Sequence, residues 1–127
     1  MIISIGIDII EVARVREVLR RTPRFATRVF TERERAYCDG RGEVVAAQHY
    51  AARFAAKEAA FKALRTGWSG GLAWQEVEIL SADTGAPALH IHGRAHQLFS
   101  QSGATVAHVS LSHTTEHAIA QVIFEKI

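Results

Sequence analysis

At 127 residues with 48% hydrophobic content, the chain is long enough to bury a real core as one compact domain over 1–127, without a linker or second domain. The lone Cys38 excludes an intrachain disulfide, and no uninterrupted apolar run approaches the ~18 residues of a membrane span. The net charge of +2 hides an asymmetry: residues 12–41 hold nine Arg against four acids, a local balance of +5 that suits an acidic partner or a solvated helical face.

The first segment, Met1 to Ile10, alternates Ile3, Ile5, Ile7 and Ile9 with Ser4, Gly6 and Asp8, which predicts a strand with one apolar face and one small or acidic face. Asp8 and Glu11 interrupt it too early for a signal-peptide core, so a cytoplasmic protein without a membrane partner is expected. Val12, Val15 and Leu19 follow helical spacing until Pro23 stops or redirects the chain. Thr31 and Glu34 form a capping box for a short helix ending near Gly40. Residues 43–66 lack Pro and Gly and are rich in Ala, which predicts one long, central helix closed by Gly67. Glu76–Leu80 and Ala88–His92 read as strands around the turn-like residues 82–87, and Gly93–Gln101 reads as a helix. Thr105–Ser112 and His117–Phe124 alternate as an antiparallel hairpin. The expected class is α+β, a long central helix packed on an antiparallel sheet.

Chemistry concentrates in the run from Arg53 to Leu64, where Glu58 and Lys62 lie four residues apart and share a helix face. Alone, the pair is a helix-stabilising contact worth roughly 0.2–0.5 kcal/mol. Asp8 changes the balance, because a second carboxylate can then converge on the same site. Asp8-x-x-Glu11 has capping-box form, so Asp8 is either a helix cap or a functional carboxylate on a strand face where Ser4 and Gly6 admit a ligand or a backbone. As a functional group it needs a counter-charge, and Mg²⁺, which takes only one or two protein carboxylates, is served by Asp8 and Glu58.

Four segments occur in order: Gly6-Ile7-Asp8-Ile9-Ile10-Glu11-Val12, Phe30-Thr31-Glu32-Arg33-Glu34, Arg53 to Leu64, and Ser110-Leu111-Ser112-His113. With these the chain resembles, from end to end, the holo-acyl-carrier-protein synthases, the short bacterial type of 4'-phosphopantetheinyl transferase. The resemblance implies transfer of 4'-phosphopantetheine from coenzyme A to a serine of apo acyl carrier protein, with release of adenosine 3',5'-bisphosphate, in fatty acid biosynthesis. It implies Mg²⁺ on Asp8 and Glu58, Lys62 and His113 on phosphate, and Glu58 as a base or only a metal ligand. It also implies a homotrimer with sites between subunits and a carrier-protein contact at Arg14, which Arg21, seven residues on, would extend. Arg53 either reaches the coenzyme's anionic groups or makes a structural ion pair. Where some relatives place an acid after the histidine, Thr114 stands here, which leaves no carboxylate at that position.

Two rival classes fit parts of the pattern. A nucleic-acid-binding module would use the arginine-rich segment with Phe25 and Phe30 as stacking platforms, but it leaves Asp8 and Glu58 unexplained, so no nucleic-acid partner is expected. A hotdog-type thioesterase would also wrap a sheet around a long helix bearing an acid. Weaker motifs are His90-x-His92-x-x-x-His96, Cys38 and Gly67-x-x-Gly70-Gly71, which respectively lack a completing carboxylate, a nucleophile signature and a following Gly-Lys-Ser/Thr.

Overall fold

A computed structural model describes residues 1–66 and 71–127. Strands β1 (Ile2–Glu11), β4 (Val106–His113) and β5 (His117–Glu125) form an antiparallel sheet in the order β1-β5-β4, and β2 (Val77–Ser81) pairs with β3 (Pro87–Ile91) in a separate hairpin. Helix α4 (Glu43–Ala63) packs across β1 and β5, with α1 (Val12–Arg21), α2 (Arg24–Val29) and α3 (Glu32–Asp39) around its N-terminal half. Helix α5 (Gly93–Gln101) follows β3. This is the expected α+β architecture.

β1 buries the face that hydrophobicity alone would turn outward. Ser4 and Gly6 are buried, whereas Ile5, Ile7 and Ile9 are 56%, 52% and 62% exposed. The reason is the closeness of α4. A Cβ on Gly6 would overlap the Ala59 carbonyl, and Ser4 Oγ donates to the Ala63 carbonyl at 2.7 Å, so only small residues fit between strand and helix. The alanines at 55, 56, 59, 60 and 63 are the matching small face of α4, and all are buried. The backbone of α4, not a ligand, therefore occupies the approach that Ser4 and Gly6 open.

Two apolar clusters flank this contact. Phe61, Val77, Ile79, Phe99, Val122 and Phe124 fill the side toward β2 and α5, and Val12, Val15, Val29, Phe30 and Tyr50 fill the side toward α1–α3.

Several local expectations hold and several shift for identifiable reasons. The Thr31 capping box is present: Glu34 N donates to Thr31 Oγ1 at 3.2 Å and Thr31 N donates to Glu34 Oε1 at 2.8 Å. Asp8, by contrast, caps no helix. β1 continues through Glu11, which precedes α1 without a side-chain cap bond. Helix α2 was not anticipated: Pro23 starts it instead of merely ending α1, its φ of −55° already helical. α4 ends at Ala63, earlier than residue 66. Arg65 takes φ 65°, Thr66 N donates to the Phe61 carbonyl and Arg65 N to the Lys62 carbonyl, the paired bonds of a Schellman turn. Gly67 and Gly70 lie outside the described residues, so neither the expected helix stop at Gly67 nor the Gly67–Gly71 motif is described.

Candidate active site

Asp8 on β1 and Glu58 and Lys62 on α4 come together because the close strand–helix approach at Gly6 and Ala59 brings the end of one element over the face of the other. Lys62 Nζ donates to Asp8 Oδ1 at 3.0 Å and to the Ile7 carbonyl at 2.9 Å. Asp8 Oδ2 is buried and has no hydrogen-bond partner. Glu58 stands beside it. Burial pushes the Glu58 carboxyl up to about 7, Asp8 adds to the rise, and Lys62 opposes it. The Lys62 ammonium thus bonds Asp8 Oδ1 alone, while the Glu58 carboxyl interacts with Asp8 and the buried Asp8 Oδ2 takes no bond from the ammonium. That donor set suits a small, hard divalent cation, which would supply the missing counter-charge. Among the described residues no group of three or more His, Cys, Asp or Glu side chains gathers as a metal cluster.

These carboxylates open onto a cavity of about 550 Å³, walled also by Arg14 and Val18 of α1, Phe25 of α2, Phe54 of α4 and His117 at the start of β5. Arg14 is therefore brought to the site. Arg21 is not: it lies at the exposed end of α1, in an i,i+4 pair with Glu17 at 2.9 Å. Sequence reasoning missed Phe54 and His117 as cavity walls. Phe54 was legible, being the residue next to Arg53 in the central motif; His117 was visible only as a hairpin residue.

Arg53 and His113 lie elsewhere, linked through Tyr37 and His49. Arg53 is 3% exposed and stacks its guanidinium 4.1 Å from the centre of the Tyr37 ring, on which Arg41 also stacks at 4.1 Å. Its Nε is buried without a hydrogen-bond partner. Among the described residues no salt bridge joins Arg53 to an acid, so the structural ion pair considered for it is not what holds it. His49 bridges Tyr37 to His113, each ring pair 5.4 Å apart. Burial, then Arg41, Arg53 and His113, holds the His49 ring below its ordinary pKa. The cluster thus stacks two guanidiniums on one ring, Arg41 exposed and Arg53 buried.

The weaker motifs find ordinary roles. Cys38 is buried, and burial pushes its thiol up to about 12, which leaves no reactive thiolate at neutral pH. His92 pairs with Glu78 at 3.2 Å while His96 packs against Phe99, so the histidines of that motif are not gathered on one centre.

The model of the 4'-phosphopantetheinyl transferase superfamily matches residues 4–122. The chain belongs to this superfamily. Among curated relatives, the holo-[acyl-carrier-protein] synthase of Trichlorobacter lovleyi is 47% identical over 126 residues, covering 98% of each chain. That of Koribacter versatilis is 43% identical, covering 98% of this chain and 99% of the relative. The crystal structure of the Bacillus anthracis holo-(acyl-carrier-protein) synthase in complex with CoA (3',5'-ADP) superposes with a TM-score of 0.83 at 35% identity, covering 100% of this chain and 99% of that one. The transferase fold therefore extends through the whole chain, and the Asp8–Glu58–Lys62 constellation sits where its long helix crosses its first strand.

The raised Glu58 carboxyl gives the first expected result. The unfolded chain titrates Glu58 near its ordinary 4.5, and the fold favours its protonated form up to about 7. Native protein thus binds more protons than unfolded protein between those values, so this contribution to stability is fully present below about 4.5 and is lost as pH rises through about 7. In the presence of chelator, the melting temperature of the wild type should fall more steeply from pH 5 to 7.5 than that of Glu58→Gln. Parallel curves would show that Glu58 is not perturbed.

Proposed function

We propose that Asp8 and Glu58 hold Mg²⁺ in a cytoplasmic homotrimer that serves fatty acid biosynthesis, each chain contributing one transferase domain over 1–127. The reaction is that of a holo-acyl-carrier-protein synthase: 4'-phosphopantetheine passes from coenzyme A to a serine of apo acyl carrier protein, and adenosine 3',5'-bisphosphate leaves. The observation that carries the site is the pair of adjacent carboxylates with the unpartnered, buried Asp8 Oδ2.

The chain's residues divide the work. The Lys62 ammonium, held by Asp8 and the Ile7 carbonyl, neutralises charge that shifts onto phosphate oxygens as the bond to phosphorus breaks. Glu58, whose carboxyl stands beside Asp8 at the cavity, takes the serine proton. Asp8 and Glu58 would hold the Mg²⁺, which when bound would supply electrostatic stabilisation of the phosphate groups. His113, exposed beside the cation-rich cluster around Tyr37, suits the remaining anionic groups of the coenzyme, and the buried Arg53 adds positive charge behind it. The exposed isoleucine face of β1, continued by Ile119 on β5 opposite Ile9, is an apolar stripe that supports burial between subunits.

The same cavity joins the carboxylates to Arg14 on the exposed side of α1, so the carrier protein's acidic surface and its serine reach adjoining places. The experiment is steady-state kinetics. Arg14→Glu is expected to raise KM for carrier protein by about tenfold or more and to leave KM for coenzyme A within about twofold, because placing like charges opposite each other at an interface is strongly unfavourable. Arg21→Glu should act in the same sense but more weakly, since that side chain already spends its charge on Glu17. Both effects should shrink as salt rises, exposed pairs being screened over roughly 8 Å at physiological ionic strength. Equal damage to both constants would assign these arginines to the fold or the coenzyme site instead.

A further inference from the structure

Immediately beside Glu58, Lys57 faces the other way and is buried completely. Its Nζ meets Glu34 Oε1 at 2.9 Å, and both side chains are fully inaccessible. The remaining ammonium donors go to the Trp74 carbonyl at 3.2 Å and the Val77 carbonyl. All three N–H groups therefore have acceptors. Glu34 is equally committed: Oε1 also accepts from Thr31 N at 2.8 Å and Oε2 from Ile79 N at 2.9 Å. Thr31 Oγ1 in turn donates to Glu78 Oε2 at 2.7 Å. One buried network thus ties α4 to the first turn of α3 and to both ends of the Trp74–Ile79 segment.

The neighbouring surface of α4 explains why such a tie matters. Between Tyr50 and Phe61 the buried positions are alanine except for Arg53 and Lys57. Helices fix their place by seating side-chain ridges in grooves, and alanine ridges are low. The contact at Gly6 sets how near α4 lies to β1, and the bonds from Ser4 to the Ala63 carbonyl and from Lys62 to the Ile7 carbonyl tie the last turns of α4 to the strand, but over the turns before them a smooth alanine face resists sliding along the helix axis weakly. A fully paired ammonium in a dry interior resists it strongly, since any shift breaks several bonds at once.

We infer that the buried Lys57–Glu34 pair is a positioning device for the transfer reaction: it fixes the axial place of the helical turn that carries Glu58, and so the spacing of Glu58 from Asp8. This rests on the reading of Asp8 and Glu58 as the working carboxylates. Neither Lys57 nor Glu34 touches substrate; they act through Glu58. A displacement of about 1 Å at reacting groups costs roughly 10²-fold in rate, which sets the expected size of the effect.

A stability role and a positioning role separate in a double variant. Lys57→Met alone leaves Glu34 buried without a counter-charge and should lower the melting temperature sharply, whereas Lys57→Met/Glu34→Gln removes both charges together and should recover part of that loss, the glutamine amide oxygen still accepting from one of Thr31 N and Ile79 N. The double variant is expected to keep kcat roughly 10²-fold below wild type, with KM for carrier protein unchanged within about twofold, and to bind Mg²⁺ about tenfold more weakly by calorimetry. Glu34→Asp, which keeps both charges but shortens the carboxylate arm, is the second variant should the double one not fold; it should lose about tenfold or more in kcat at unchanged KM for carrier protein. Wild-type kcat and Mg²⁺ affinity in whichever of these variants folds would overturn the inference and leave the pair as scaffold only. Glu58→Gln, measured alongside, distinguishes the failures. If it is inactive while the pair variants turn over normally, only the positioning role falls. If it keeps wild-type turnover, the site reading falls and the inference with it.

Discussion

Asp8→Ala and Glu58→Ala are each expected to abolish pantetheinylation while leaving the chain folded. Both side chains stand at the cavity, and neither packs into the apolar clusters, so their loss removes chemistry more than core. Asp8→Ala also frees Lys62, whose side chain is half exposed and can turn to water at little cost. Glu58→Gln is the finer test because it keeps shape and removes charge. Loss of a metal ligand or a general base lowers turnover by roughly 10²- to 10⁴-fold, and Glu58→Gln should fall in that range. Full activity of either alanine variant, or of Glu58→Gln, in a Mg²⁺ titration would show that the two-carboxylate site is wrong.

Gly6→Ala should damage the fold itself severely. The added Cβ would overlap the Ala59 carbonyl and press on Ala63 N, and both are helix backbone that cannot rotate aside. Overpacking a core commonly costs about 1–3 kcal/mol, and with backbone as the obstacle the cost should lie at or above the top of that range. Because the same contact brings Asp8 to Glu58, activity should fall with stability. Ser4→Ala makes the comparison: it removes one buried hydrogen bond, to the Ala63 carbonyl, worth about 1 kcal/mol, and adds no bulk. Thermal melts of the two variants side by side decide the matter. A Gly6→Ala protein melting with Ser4→Ala or above it would mean that β1 and α4 do not need to approach so closely.

The alternation in residues 3–9 announced a strand but not which face is inside, because hydrophobicity assigns the isoleucines to the core while steric access assigns Ser4 and Gly6 to it. Only the partner decides, and the partner is an alanine face too close for larger side chains. The long helix, the capping box at Thr31 and the terminal hairpin were legible because each rests on local signals that tertiary packing did not override. The end of α4 was not, since a left-handed Arg65 closes a turn that composition would give to glycine. That Asp8, Glu58 and Lys62 come together could be anticipated from the spacing of Glu58 and Lys62 and from the family resemblance. Lys57 could not: a lysine in an alanine-rich helix reads as solvated, and its partner Glu34 lies far away in sequence, engaged already as a capping residue.

Mass spectrometry of apo acyl carrier protein incubated with this protein and coenzyme A, with Mg²⁺ in one arm and chelator in the other, addresses the central claim most directly. The expected result is a carrier serine bearing 4'-phosphopantetheine, with adenosine 3',5'-bisphosphate released in equal amount, in the Mg²⁺ arm only. Unmodified carrier protein in both arms would contradict the transferase reading, and equal modification in both would contradict the metal site built on Asp8 and Glu58.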